Sequence, residues 1–180
     1  MNYIKLVPQS TSNGPGIRVV LFVAGCRNQC PGCQNPDTWC FTAGRVFTPE
    51  IELEVLHLLS KPWISGLTLC GGEPMEQENQ KGLISLLAAA KTAFPEKNIW
   101  CYTGYEWEDF LPGGRKHIGI THKILEYIDV LITGRYQKDL RDITNNNQYR
   151  GSKNQRIVDV KKSLATSGNR VLLAGVPNND

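Results

Sequence analysis

Strand-sized apolar runs that each stop at a glycine, with amphipathic stretches between them, constrain this chain more than any other feature. Residues 17–23, broken by Arg18, run into Gly25; residues 64–69 end at Cys70-Gly71-Gly72; residues 98–103 stop at Gly104; and residues 130–133 stop at Gly134. Between them, Thr48-Pro49-Glu50 supplies an N-cap with proline at the first helical position, and Ile51, Val55, Leu58 and Leu59 then fall at helical spacing up to Lys61. Residues 80–92 place Leu83, Ile84, Leu87 and Ala88 on one helix face, and residues 120–128 form a further amphipathic helix. A short helix over 105–110 breaks at Leu111-Pro112-Gly113-Gly114.

Strands alternating with helices argue for an α/β fold with a parallel sheet and right-handed crossovers. Four such units, with edge strands at 156–161 and 170–176, are too few for a closed eight-fold barrel of about 250 residues. The expectation is an incomplete, open-sided (β/α) barrel whose ligands gather at the C-terminal strand ends. The polar stretch 138–154 lacks a core pattern and reads first as a solvated loop.

With 180 residues, 41% of them hydrophobic, the chain can bury a core, which excludes a disordered or low-complexity class. Twenty Lys and Arg against seventeen Asp and Glu leave a net charge of +3, too even for a nucleic-acid or membrane-surface footprint. The longest apolar runs are far short of the roughly 20 residues that cross a bilayer. The N-terminal residues carry no apolar segment with a cleavage site, so a reducing cytoplasm is expected.

In that compartment the placement of the six cysteines matters, because clustered thiols favour metal or redox chemistry over disulfides. Cys26, Cys30 and Cys33 lie within eight residues, and Pro31-Gly32 turns the chain so that three sulfurs can converge. Structural zinc needs four ligands, and no second pair or histidine lies nearby in sequence unless Cys40 joins. A cubane cluster held by three thiolates would leave one iron open to a substrate. Cys40, flanked by Trp39 and Phe41, reads as a buried free thiol in preference to a fourth ligand, and Cys70 and Cys101 read as core thiols.

Cys26-Arg27-Asn28-Gln29-Cys30-Pro31-Gly32-Cys33 resembles the CxxxCxxC loop of the radical S-adenosylmethionine superfamily. Asn13-Gly14-Pro15-Gly16-Ile17-Arg18 upstream and Gly71-Gly72-Glu73-Pro74 downstream sharpen the match. Within the superfamily the chain is similar to the small activases of anaerobic ribonucleoside-triphosphate reductase, through residues 30–35, 100–105 and 150–155. The similarity covers residues 1–160 as one domain; residues 161–180 extend past it and are expected to belong to the same domain.

This resemblance implies a [4Fe-4S] cluster on Cys26, Cys30 and Cys33, with S-adenosyl-L-methionine at the open iron. One electron, from flavodoxin or another low-potential donor, would break the cofactor's S–C5′ bond. The radical formed would abstract hydrogen from a glycine of the large reductase subunit. Gly71, Gly72 and Glu73 are implied at the methionine end, Gly32 and Gln34 at the adenine end, and Thr133 with Arg135 near the carboxylate. Arg150 to Gln155 matches a signature whose expected role is docking the reductase or shaping the open side. Alternatives are activation of another glycyl-radical enzyme, a small-molecule radical enzyme, or a zinc-bound interaction module using Cys40 as fourth ligand.

Overall fold

In a computed structural model, residues 1–141, 149–166 and 173 are described. They build a seven-stranded sheet in the order β3-β1-β2-β4-β5-β6-β7. The strands are β1 (Asn2–Ser10), β2 (Ile17–Val23), β3 (Arg45–Val46), β4 (Ile64–Gly71), β5 (Asn98–Tyr102), β6 (Val130–Thr133) and β7 (Arg156–Asp159). The helices are α1 (Pro49–Leu59), α2 (Gln77–Ala93), α3 (Thr121–Tyr127) and α4 (Val160–Leu164). The central strands β2, β4, β5 and β6 run parallel, as the strand–helix alternation predicts.

The sheet as a whole is mixed, which corrects the expectation of a parallel sheet, and it does not close, as expected of an open-sided architecture. β1 pairs antiparallel with β2 and with β3 at one edge, and β7 pairs antiparallel with β6 at the other. β1 escapes a reading by periodicity because Pro8 and two register shifts interrupt it. The strand expected over 156–161 stops at Asp159, whose carboxylate accepts from Lys162 N at 3.0 Å and caps α4. The strand expected over 170–176 lies outside the described residues except Leu173, which makes an isolated bridge with Val158. Among the described residues no helix is long and apolar enough to cross a membrane.

Register sorts the two faces of the sheet. Leu21, Leu69, Cys101 and Leu131 stand opposite one another across four strands and join the core that also takes in Val55, Leu83 and Ile124 from the helices. Burying each leucine in that row stabilises the fold by roughly 2 kcal/mol. The alternate row, Phe22, Cys70, Tyr102 and Ile132, faces the other way, where among the described residues no helix packs on the sheet. There Tyr149 packs edge-on against Trp100 at 5.6 Å. The polar stretch is therefore more than a solvated loop: Tyr149 and Ser152 are buried in it, while residues 142–148 fall outside the described part.

Arg18, fully buried, fixes the start of β2. Its Nε donates to Thr68 Oγ1 at 2.7 Å, Nη1 to Asn98 Oδ1 at 2.7 Å and Pro15 O at 3.3 Å, and Nη2 to Leu67 O at 2.7 Å and Asn98 O at 3.1 Å. All five donors are thus met by neutral oxygens, although burial pulls the guanidinium down to about 10. At the same end of the sheet, before β6, Asp129 accepts from Lys91 Nζ at 2.6 Å, Lys161 Nζ at 2.6 Å and Ile99 N at 2.7 Å. Burial works against its charge, but the two lysines and the amide outweigh it and hold the carboxyl below its ordinary value.

A carboxyl whose pKa is lowered on folding stabilises above its unfolded value and loses that contribution as pH falls through the folded one. Asp129→Asn should therefore cost about 2 kcal/mol at pH 7, and the difference from wild type should shrink below about pH 4, measured by urea unfolding across pH.

Candidate cluster site

The cysteine loop leaves the C-terminal end of β2 and is bound on both sides by backbone. Gly25 N donates to Thr38 O at 2.7 Å and Cys26 N to Trp39 O at 3.0 Å, so the returning chain past the Pro36–Thr38 turn runs beside the loop. From the other side Gly72 N reaches Val23 O and Glu73 N reaches Gly25 O, both at 2.8 Å. Within the loop, Gln29 takes a left-handed φ of 44°, and Cys33 N closes a turn onto Cys30 O at 3.0 Å.

The result is a cleft of about 280 Å³ over the C-terminal strand ends. Cys26, Cys30 and Cys33 line it together with Gln34, Gly71, Gly72 and Glu73. All three thiols are free, Cys30 is buried, and Cys26 and Cys33 are partly exposed. Among the described residues no three His, Cys, Asp or Glu side chains are grouped to hold a single metal ion, so these sulfurs do not enclose one. Asn35 N donates to Cys33 Sγ at 3.3 Å, the kind of bond that stabilises thiolate ligands of a cluster. Burial, and then the charge of Glu73, push the Cys26 thiol up to about 11, so loading this residue with metal releases a proton. Three free thiols on one cleft, with an N–H on one sulfur, fit a cluster held at three corners.

Cys40 corrects the expectation of a buried thiol. It is exposed, its Sγ lies 3.2 Å from Thr42 Oγ1, and it is not part of the cleft. Phe41 takes the packing role, because a Cβ on Gly25 would come within 2.3 Å of its ring. Cys101 is a core thiol as expected; Cys70, buried in the strand, also forms part of the cleft floor.

Glu73 is 1% exposed and braces the loop. Its Oε2 accepts from Gly104 N at 2.7 Å and Asn28 Nδ2 at 3.2 Å, and its Oε1 from Met75 N at 2.9 Å. Burial outweighs these donors and pushes the carboxyl up to about 7. The glycine at 72 is required by packing: a Cβ there would meet Gly25 O at 2.7 Å and both Thr38 O and Val23 O at 3.0 Å.

Three expected site residues lie outside the cleft wall. Gly32 abuts the stem of Lys138, 2.8 Å from where its Cβ would stand. Thr133 is fully buried, and Gly134 beside it lines the cleft instead. Arg135 donates to Asn28 O, so its guanidinium holds the cysteine loop. Reading the sequence missed Phe22, Asn28, Trp39, Tyr136 and Tyr149 as cleft residues, since each shares an ordinary type with many core or loop positions.

A family model described as a 4Fe-4S single cluster domain matches residues 12–158. Curated relatives named anaerobic ribonucleoside-triphosphate reductase-activating protein align over most of both chains. The protein of Enterobacteria phage T4 is 43% identical over 87% of this chain and 93% of its own. That of Pasteurella multocida is 38% identical over 87% and 96%, and that of Escherichia coli K12 is 34% identical over 86% and 96%. The chain belongs to this family. It is an activating protein with a 4Fe-4S domain, as the resemblance through residues 30–35, 100–105 and 150–155 implies. The aligned relatives favour the anaerobic reductase over other glycyl-radical targets, and the exposed Cys40 gives no support to a four-thiolate zinc module.

For this activating protein, Cys30→Ala should lose most of its iron after anaerobic reconstitution, while Cys40→Ala keeps the wild-type iron and sulfide content by chemical assay. Gly72→Ala should lower stability by about 2 kcal/mol in thermal melts through overpacking against three carbonyls.

Proposed function

We propose that the protein activates anaerobic ribonucleoside-triphosphate reductase by reductive cleavage of S-adenosyl-L-methionine at a [4Fe-4S] cluster held by Cys26, Cys30 and Cys33. The observation that carries this reading is the meeting of three free thiols and the Gly71–Glu73 turn on one cleft at the strand ends, in a chain with activating-protein relatives. The open sheet is then a partial (β/α) barrel of the radical S-adenosylmethionine type. Cys26, Cys30 and Cys33 would hold the cluster, which would supply one low-potential electron for cleavage of the cofactor's S–C5′ bond, so that a hydrogen atom is taken from a glycine of the large reductase subunit and the radical is left there.

The chain's own residues bind and orient. Gly71 and Gly72 present backbone to the cofactor's methionine end, Glu73 fixes that turn, and Gln34 lines the same cleft. The indole N–H of Trp39 has no partner among the described residues and stands ready to donate to the cofactor from the cleft wall. Gly32, Thr133 and Arg135 act at one remove, through the loop and the strand end, in place of the direct contacts first expected of them. Arg150, Gly151 and Gln155 shape the mouth: Gln155 Oε1 accepts from Gly151 N at 2.8 Å and Ser152 N at 3.1 Å, and its Nε2 donates to Gly134 O at 2.9 Å. The electron would come from a low-potential donor such as flavodoxin in the cytoplasm.

Electron paramagnetic resonance tests the reading. Reduced, iron-loaded protein mixed with S-adenosylmethionine and the large reductase subunit should yield a carbon-centred doublet on the subunit that is absent without the cofactor. Cofactor cleavage without that doublet would assign a different target, and protein that takes up no iron would end the cluster reading.

A further inference from the structure

Glu76 lies three residues beyond Glu73, is 0% exposed, and lies outside the cleft. A fully buried carboxylate is costly unless every lone pair is engaged, so its partners report what it is there to hold. Oε1 accepts from Arg27 N at 3.1 Å and Tyr105 Oη at 2.7 Å. Oε2 accepts from Arg27 Nη1 at 2.9 Å and Lys116 Nζ at 2.7 Å.

These four donors come from separate parts of the chain. Arg27 follows Cys26 directly, whereas Tyr105 and Lys116 belong to the segment between β5 and α3. Glu76 itself is the residue before α2, and its carbonyl accepts from Gln80 N at 2.8 Å. One carboxylate therefore ties the cysteine loop to the start of a core helix and to the β5–α3 connection. The outer end of Arg27 is held too. Its Nη2 meets Glu78 Oε1 at 2.6 Å, and its guanidinium lies 4.3 Å from the centre of the Phe41 ring. Phe41 in turn fills the space above Gly25, so ring, guanidinium and carboxylate form one stack against the residue that precedes Cys26.

We propose that Glu76 is the positioning residue of the cysteine loop: through Arg27 it fixes the backbone that aims Cys26 into the cleft. It touches neither cluster nor cofactor and acts through the main-chain N–H and the guanidinium of Arg27 together. Asn28, the next residue, is bound by Glu73, so consecutive loop residues are gripped by the two glutamates of one turn. Glu76 is the better anchored of the two, because Lys116 and Tyr105 hold it from behind. Replacing it with glutamine keeps the volume but turns an NH2 toward donors, which breaks the bond to the loop or the one to Lys116. This assignment rests on the cluster reading for its purpose, while the grip on the loop is independent of it.

Hydrogen exchange by mass spectrometry on the iron-free full-length protein reads the grip directly. In Glu76→Gln the amides of residues 25–33 should exchange about tenfold faster than in wild type, while α1, far from the contact, exchanges at its wild-type rate. Uniform acceleration everywhere, or none in the loop, would overturn the proposal. Should Glu76→Gln fail to fold, Arg27→Ala decides in its place: it removes the guanidinium at an exposed position, and loop exchange unchanged from wild type would overturn the clamp. In iron-loaded protein the same Glu76→Gln variant should keep its iron but need about tenfold more S-adenosylmethionine to alter the cluster's paramagnetic spectrum. Arg27→Ala combined with Glu76→Gln should be no worse than Glu76→Gln alone, since both act through one contact. A multiplied defect would show independent roles and refute the shared clamp. If wild type takes up no iron, the cluster reading fails while the exchange result still judges the clamp.

Discussion

Two backbone bonds between the ends of neighbouring parallel strands decide where the rest of the site can lie. Gly72 N to Val23 O and Glu73 N to Gly25 O join β4 to β2 beyond the last ladder pair, Val23 opposite Gly71. They bring the turn after β4 under the first residues of the cysteine loop, at a separation that admits no side chain at position 72. Once that join is made, Glu73 and Glu76 have Asn28 and Arg27 within reach, and the three cysteines have one cleft to face. A loop with three thiols and little regular structure cannot hold its own geometry. Here the sheet holds it, because backbone bonds at a strand end inherit the rigidity of the strand.

The buried charges serve the same end by different means. Arg18 is surrounded by neutral oxygens, and its five donors tie the entry of β2 to β4 and to Asn98 at the start of β5. Such an arrangement needs no counter-ion, because each N–H is matched, and it fixes three strands in register at the end remote from the cleft. Asp129 uses opposite charge, with two lysines from α2 and α4, and anchors the β5–β6 end of the sheet. Replacing either set with apolar groups could leave a stable core, yet it would remove directional bonds that specify how strands align. The cleft depends on that alignment, since its walls are the C-terminal ends of β2, β4, β5 and β6.

Much of this was legible in the sequence, and for a physical reason. Apolar runs ending at glycine report buried strands directly, so β2, β4, β5 and β6 and helices α1, α2 and α3 stand close to where periodicity puts them. Cys26, Cys30 and Cys33 announce themselves by spacing. β1 was not legible, because an antiparallel strand near a sheet edge with a proline and register shifts has no period to detect. Cys40 was misread because aromatic neighbours suggest burial, whereas the bend turns Phe41 inward and leaves the thiol outside. The cleft role of Tyr149 depends on residues 149–155 lying against β6 and Gly134, and no local pattern encodes a contact of that range, whereas Arg150 to Gln155 were expected near the open side through a motif resemblance alone. Glu76 shows the limit plainly: its sequence neighbourhood reads as the start of a helix, and only the fold brings Arg27 and Lys116 to it.

The glycine-glutamate turn also cautions against assigning ligand contacts by residue type. Gly71 and Gly72 suit a backbone that approaches a small molecule, and they do line the cleft. Yet the carbonyls of Val23, Gly25 and Thr38 by themselves forbid a larger residue at position 72. The same holds for Glu73, whose oxygens face Asn28, Met75 and Gly104. These residues build the frame, and what they offer a cofactor is main chain set in a rigid position. On the proposed reading, selectivity for a charged amino-acid group would come from backbone geometry and from a metal corner left open by three thiolates, which would make the outer residues that aim the cysteines as consequential as those on the wall.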